Sequence, residues 1–142
     1  MKESRYGIAV SVALPYEQAV EHTTAALKQE GFGVLTTIDV KATLKQKLDK
    51  DFRKYTILGA CNPTLAYRAF QVELEIGILL PCNVIVYEGH SPAESVVSAM
   101  APISAIGIVG GSPELKDVAR EADERLRRML TSLEDTYGVK GA

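Results

Sequence analysis

The sequence has little of several things, and each shortage closes a route. No apolar run is long. Ile76-Gly77-Ile78-Leu79-Leu80 is among the longest, far below the roughly 20 residues that span a bilayer, so no membrane partner is expected. Charge of one sign is not in excess either: 16 basic residues face 18 acidic ones, for a net charge of −2. Nothing electrostatic draws such a chain onto nucleic acid or an anionic lipid surface. Cysteine and histidine number two each. A tetrahedral zinc site would need all four, Cys61, Cys82, His22 and His90, at spacings that match no known pattern. No metal and no cofactor are therefore expected. No apolar segment follows Met1-Lys2-Glu3-Ser4-Arg5-Tyr6, so a signal peptide is not expected. The default compartment is the cytoplasm, where two cysteines are free thiols rather than a bridge.

What the chain does have suffices for a packed core. Its 142 residues are 46% apolar and 24% charged, close to the globular average. The expectation is one domain over residues 1–142, ordered from about 5 to 137, with no need of disulfides to fold.

Periodicity assigns the elements. Tyr6 to Leu14 alternates as a strand, with Ile8, Val10, Val12 and Leu14 on one face. A helix follows from Pro15 to Glu30, with Ala19, Val20, Thr23, Leu27 and Thr24 inward and Gly31 as its C-terminal cap. Gly33 to Ile38 reads as a strand with Val34, Thr36 and Ile38 on one face. Asp39 caps a short helix to Lys50, whose apolar stripe is Val40, Leu44 and Leu48 among lysines. Phe52 to Ala60 returns to strand. Asn62-Pro63 opens a helix to about Val72. Asn83 to Glu88 and Ser95 to Met100 form a hairpin around Gly89-His90-Ser91-Pro92. Pro102 to Gly111 reads as irregular. Ser112-Pro113-Glu114 opens the last helix, in which Leu115, Val118, Ala119, Ala122, Leu126, Met129, Leu130 and Leu133 keep 3–4 spacing; Asp123 and its charged neighbours fall on the wet faces. One-faced strands and a hairpin favour an α+β fold: a mainly antiparallel sheet of about five strands backed by helices.

Four groupings carry chemistry. Cys61 stands just before the Asn62-Pro63 helix start, where free amides and the helix dipole can lower a thiol pKa and make a thiolate nucleophile; it is more readily read as a small buried hydrophobe at a strand end. Cys82, after Pro81, meets Cys61 if their strands are neighbours, giving a redox dithiol or two soft metal ligands. Gly107 to Ser112 is a glycine-rich turn before a helix, suited to phosphate but matching no known loop. Glu73, Glu75 and Glu88 are carboxylates that an apolar wall could turn into acids, and Tyr67 and Tyr87 could lend hydroxyls.

Three stretches resemble a bacterial and archaeal family, the domain of unknown function 302: Asp39-Val40-Lys41-Ala42-Thr43-Leu44-Lys45, Ile57-Leu58-Gly59-Ala60-Cys61-Asn62-Pro63 and Leu79-Leu80-Pro81-Cys82-Asn83-Val84. The family pattern matches at Asn62, Pro63, Ala66, Gly77, Leu80, Pro81 and Cys82. It departs at Ala101-Pro102, where members tend to carry an acid before the proline, and at Gly110-Gly111-Ser112. The resemblance implies a curved antiparallel sheet backed by helices, TATA-binding-protein-like, and a small protein that is often a homodimer. It implies no activity, and a fold does not carry its namesake's DNA binding with it.

These readings converge on a small-ligand-binding or regulatory domain, homodimeric and without catalysis. Its site is expected where Cys61, Asn62, Pro63, Tyr67, Pro81 and Cys82 come together. The alternatives are a thiol-dependent redox protein or enzyme using Cys82, Cys61 or both, and a structural or assembly module.

Overall fold

Strict alternation of apolar and polar residues is answered by a sheet buried on one face. In a computed structural model describing residues 1–107 and 112–140, Ile8, Val10 and Val12 of β2 (Gly7–Val12) are buried while Ser11 is exposed. β4 (Tyr55–Cys61), β5 (Cys82–Glu88) and β6 (Ser95–Met100) bury Thr56, Leu58 and Ala60, then Cys82, Val84 and Val86, then Ser95, Val97 and Ala99 on the same side. With β1 (Lys2–Glu3) and β3 (Gly33–Asp39), they form a six-stranded sheet in the order β1-β2-β6-β5-β4-β3, every neighbouring pair antiparallel. Register sets the rows: Ile8, Ala99, Val84 and Leu58 cross the sheet in line, as do Val10, Val97, Val86 and Thr56.

Helices close this inner face. α5 (Pro113–Tyr137) buries every position that its 3–4 spacing marks, and α1 (Tyr16–Gln29) buries Ala19, Thr23, Ala26 and Leu27. Thr24, expected inward, is exposed and donates to the Val20 carbonyl. Burial of a Leu or Val side chain contributes about 1.5–3 kcal/mol, which makes this layer the main source of stability. α3 (Pro63–Val72) and the short α4 (Pro102–Gly107) pack along α5 at one end of the sheet. No helix among the described residues is long and apolar enough to cross a membrane.

The expected α+β architecture stands, with differences of physical origin. β1 is a sixth strand. It is held by ion pairs rather than apolar pattern: the Met1 ammonium reaches Glu134 at 2.9 Å, and Glu3 meets Arg127 at 2.5 Å. Asp123 is buried, not wet, because Arg127 Nε donates to it at 2.7 Å. Pro102 to Gly107 is helical, because burying Pro102 and Ile106 against α5 orders a segment with no periodic signal. Leu74–Leu79 forms a 3-10 helix. A register shift between Val34 and Thr36 sets Val34 opposite Ala60 and Thr36 opposite Gly59, so Val34 does not share a face with Thr36 and Ile38. Last, α2 (Val40–Leu48) buries none of its residues. Of the glycine-rich turn from Gly107 to Ser112, residues 108–111 lie outside the described residues.

Candidate functional site

Where β4 ends, the chain makes a sharp sequence of turns that builds a crevice. Asn62 stops the strand in extended conformation, and its Oδ1 accepts from the Leu65 amide at 3.2 Å, capping α3. Pro63 takes the first helical position, where its missing N–H costs nothing. α3 then turns Leu65 and Ala69 inward. The 3-10 helix brings the chain back to Leu80 and Pro81, joined by a cis peptide. Cys82 enters β5 opposite Ala60. Two segments far apart in sequence, Cys61-Asn62 and Leu80-Pro81-Cys82, thus line one space.

Short side chains keep this space open. Ala60 and Cys82 belong to the sheet, Ala66 and Ala69 to α3, and Ala122 to α5. Pro102 and Ile106 of α4 close another side, with Met100 at the strand end. The interior volume is about 40 Å³, enough for a water or two, or a narrow apolar group, but not for a drug-sized body. The lining is almost wholly apolar. Asn62 is its principal polar side chain, buried, with its carbonyl already engaged by the helix cap. Gly31 makes that placement possible: it holds φ at +84°, and a Cβ there would come within 2.9 Å of Asn62 Nδ2.

The two thiols share the crevice but are not thiolates. Burial pushes the Cys61 thiol up. Cys82 is pushed up to about 11, first by burial and second by the negative charge that Cys61 would carry. The Leu65 amide at the helix start beside Cys61 is already taken by Asn62. At neutral pH both are protonated, weakly nucleophilic groups, an environment that argues against thiolate chemistry.

Of the residues expected at the site, Cys61, Asn62, Pro81 and Cys82 line the crevice. Pro63 and Tyr67 do not: Pro63 serves the helix start, and Tyr67 is exposed on the outer side of α3. Glu73 and Glu75 flank the start of the 3-10 helix outside the crevice, and Glu88 lies at the far end of β5. Tyr87 is on the open face of the sheet, stacked on Tyr55 at 5.3 Å between ring centres. Among the described residues, no group of three or more His, Cys, Asp or Glu side chains could hold a metal. None of the alanines, Met100, Pro102 or Ile106 was expected at the site: Ala60 and Ala66 stood out only through the family resemblance, Ala122 only as part of the apolar face of the last helix, and Pro102 only as a departure from the family pattern. At the other end of the strands a broad trough of about 910 Å³ mixes apolar residues such as Val10 and Val96 with Lys2, His90, Glu94, Asp135 and Lys140. Its charged walls and chain-end segments suit bulk water better than a bound molecule.

Comparison with known proteins bears on the fold and the family. No match is found among curated proteins. Among solved structures, an uncharacterized conserved protein DUF302 from Bacillus stearothermophilus is similar, with 30% sequence identity and a TM-score of 0.82 over 92% of this chain and 99% of that one. The family model described as Domain of unknown function DUF302 matches residues 8–133. With the capped turn at Asn62 and the Leu80-Pro81-Cys82 return both in place, the chain belongs to the DUF302 family.

Proposed function

We propose that this protein is a small-ligand-binding or regulatory module that works as a homodimer and has no catalysis of its own. One observation carries the ligand reading: Cys61-Asn62 and Leu80-Pro81-Cys82 converge on an apolar crevice that alanines leave unfilled. Protein interiors are close-packed, and voids that could take a water are few. A void with a mouth, apolar walls and one buried amide is suited to the narrow apolar end of a small molecule. The high thiol pKa values support binding over thiol chemistry. The homodimer reading is supported by large apolar side chains left bare on the surface.

A short n-alkanol series, followed by methyl NMR, tests the ligand reading. The methyl groups of Leu65, Ala69, Ile106 and Val118 should shift. Each added CH2 should tighten binding about fourfold, which corresponds to about 0.8 kcal/mol, until the crevice is full. Ala69→Met, which fills the space, should abolish the shifts. Shifts spread evenly over the surface, or unchanged in Ala69→Met, would refute the reading.

A further inference from the structure

Two bare apolar patches lie at opposite ends of one edge strand. The first is the arm made by β3 and α2. Leu35, Ile38, Leu48 and Phe52 are all exposed, Leu48 by 62%. β3 is last in the sheet, so one edge of its backbone has no strand beside it. The second patch is on the outside of α3 and the 3-10 helix, where Tyr67, Phe70, Leu74 and Ile78 are exposed, Ile78 by 80%. Phe70 and the 3-10 helix form one surface: a Cβ on Gly77 would meet the Phe70 ring at 3.4 Å.

Their charges are complementary. α2 and the residues after it carry Lys41, Lys45, Lys47 and Lys50. Lys45 is engaged by Asp49 at 2.9 Å and Asp51 at 3.4 Å, and Lys41 donates to the Phe52 carbonyl; Lys47 and Lys50 are exposed. The second patch is flanked by Glu73 and Glu75, and the nearby cation Arg68 is turned to Glu121 at 3.6 Å.

The topology fits a second copy. β3 starts at Gly33, opposite Cys61, and ends at Asp39, opposite Thr56. α2 continues from Asp39, whereas α3 starts just after Cys61. If β3 pairs antiparallel with β3 of another copy about a two-fold axis, each α2 arrives at the other copy's α3 and 3-10 patch. Both contacts form at once, and the interface closes on itself. The register shift and the lysines blunt the free edge against indiscriminate pairing, which leaves Thr36 to Asp39 for a partner that brings acid to α2.

Resting on the homodimer reading above, we infer that the dimer forms through this edge, with the Lys47 and Lys50 side of α2 packed on the Leu74 and Ile78 patch of the second copy. Sedimentation equilibrium tests it on the full chain with two charge-reversed proteins. One carries Lys47→Glu and Lys50→Glu, the other Glu73→Lys and Glu75→Lys. Lys47, Lys50 and Glu75 are exposed and Glu73 is half-buried, and circular dichroism should show native folding. The wild type should be a dimer at micromolar concentration, and each reversed protein should dissociate at least tenfold more readily. An equimolar mixture of the two should restore the dimer, because every arm in the heterodimer again faces opposite charge. A wild-type monomer at 100 μM overturns the homodimer reading and the interface together. A dimer that neither reversal weakens overturns the interface alone. Two weakened proteins that do not recover on mixing overturn the pairing of these two surfaces.

Discussion

At Cys61, strand β4 runs into walls; at Tyr55 it begins beside an arm that no other element among the described residues covers. The first end has α3, α4 and α5 around it, and its side chains are mostly small and buried. The second end leads back through Phe52 to α2, which buries none of its residues. Both ends are apolar, yet one encloses a small space and the other displays a surface. The lesson is that apolar residues do two kinds of work along one strand. Enclosed ones hold the fold and shape a pocket; displayed ones in a contiguous patch mark where another surface docks.

Substitutions can break that contrast, and the largest effects belong to the enclosed end. Leu65→Ala removes a buried wall of the crevice and should cost about 2–5 kcal/mol in denaturant unfolding. A cost under about 1 kcal/mol would mean that this end is not a packed one. The next effect is one of pH. The Cys82 thiol ionises near 11 in the fold against an ordinary 9, so the unfolded chain gives up its proton first. Stability is unaffected by this group below pH 9 and falls as pH rises from 9 towards 11, with a total loss on the order of 2–3 kcal/mol. Melting in a pH series should show that fall, and Cys82→Ala should make it shallower, leaving the share of Cys61 and Tyr55, which burial also pushes up.

Gly59 lies where the two ends touch. A Cβ there would collide with the Thr36 hydroxyl on the arm and come within 2.9 Å of Pro81 Cγ at the crevice. Gly59→Ala should therefore cost about 1–3 kcal/mol through overpacking. Gly33→Ala, on the same arm with nothing within 4 Å, should stay within about 0.5 kcal/mol. Equal costs at the two glycines would erase the distinction. Smallest of all, Leu48→Ala should leave the unfolding free energy of the dissociated chain within about 0.5 kcal/mol of wild type, while weakening the proposed dimer when sedimentation equilibrium is used to read it.

Much of the enclosed end could be read in advance. Asn62-Pro63 gave a capped helix start at the right residue, the alternation from Tyr6 to Leu14 and the hairpin of Asn83 to Glu88 with Ser95 to Met100 gave the sheet, and 3–4 spacing gave all of the apolar face of α5. Cys61 and Cys82 came out on neighbouring strands. The thiolate reading of Cys61 is not supported, because a cap position says where a helix starts and not how much water reaches the sulfur. The crevice itself was hidden: Ala66 stood out only as a family match and Ala122 only as a position on the apolar face of α5, and only three-dimensional packing shows that with Ala69 they leave a space. The arm was hidden for a related reason. Val40, Leu44 and Leu48 form an apolar stripe, and periodicity announces such a stripe without naming what covers it. In β3, a single register shift changes which residues share a face, and no local signal marks it.

On this proposal the crevice takes a narrow apolar ligand and the arm takes a second copy. One methyl NMR experiment addresses both, with spectra recorded at two protein concentrations, each with and without n-propanol, whose short alkyl end suits the small crevice. n-Propanol should move Leu65, Ala69 and Ile106 at fixed protein concentration, and dilution should move Leu35, Ile38, Leu48 and Ile78 with no alkanol present. If n-propanol instead moves the arm residues and leaves the crevice unchanged, or if dilution leaves the arm unchanged across the micromolar range, the division of labour between the two ends of β4 is contradicted.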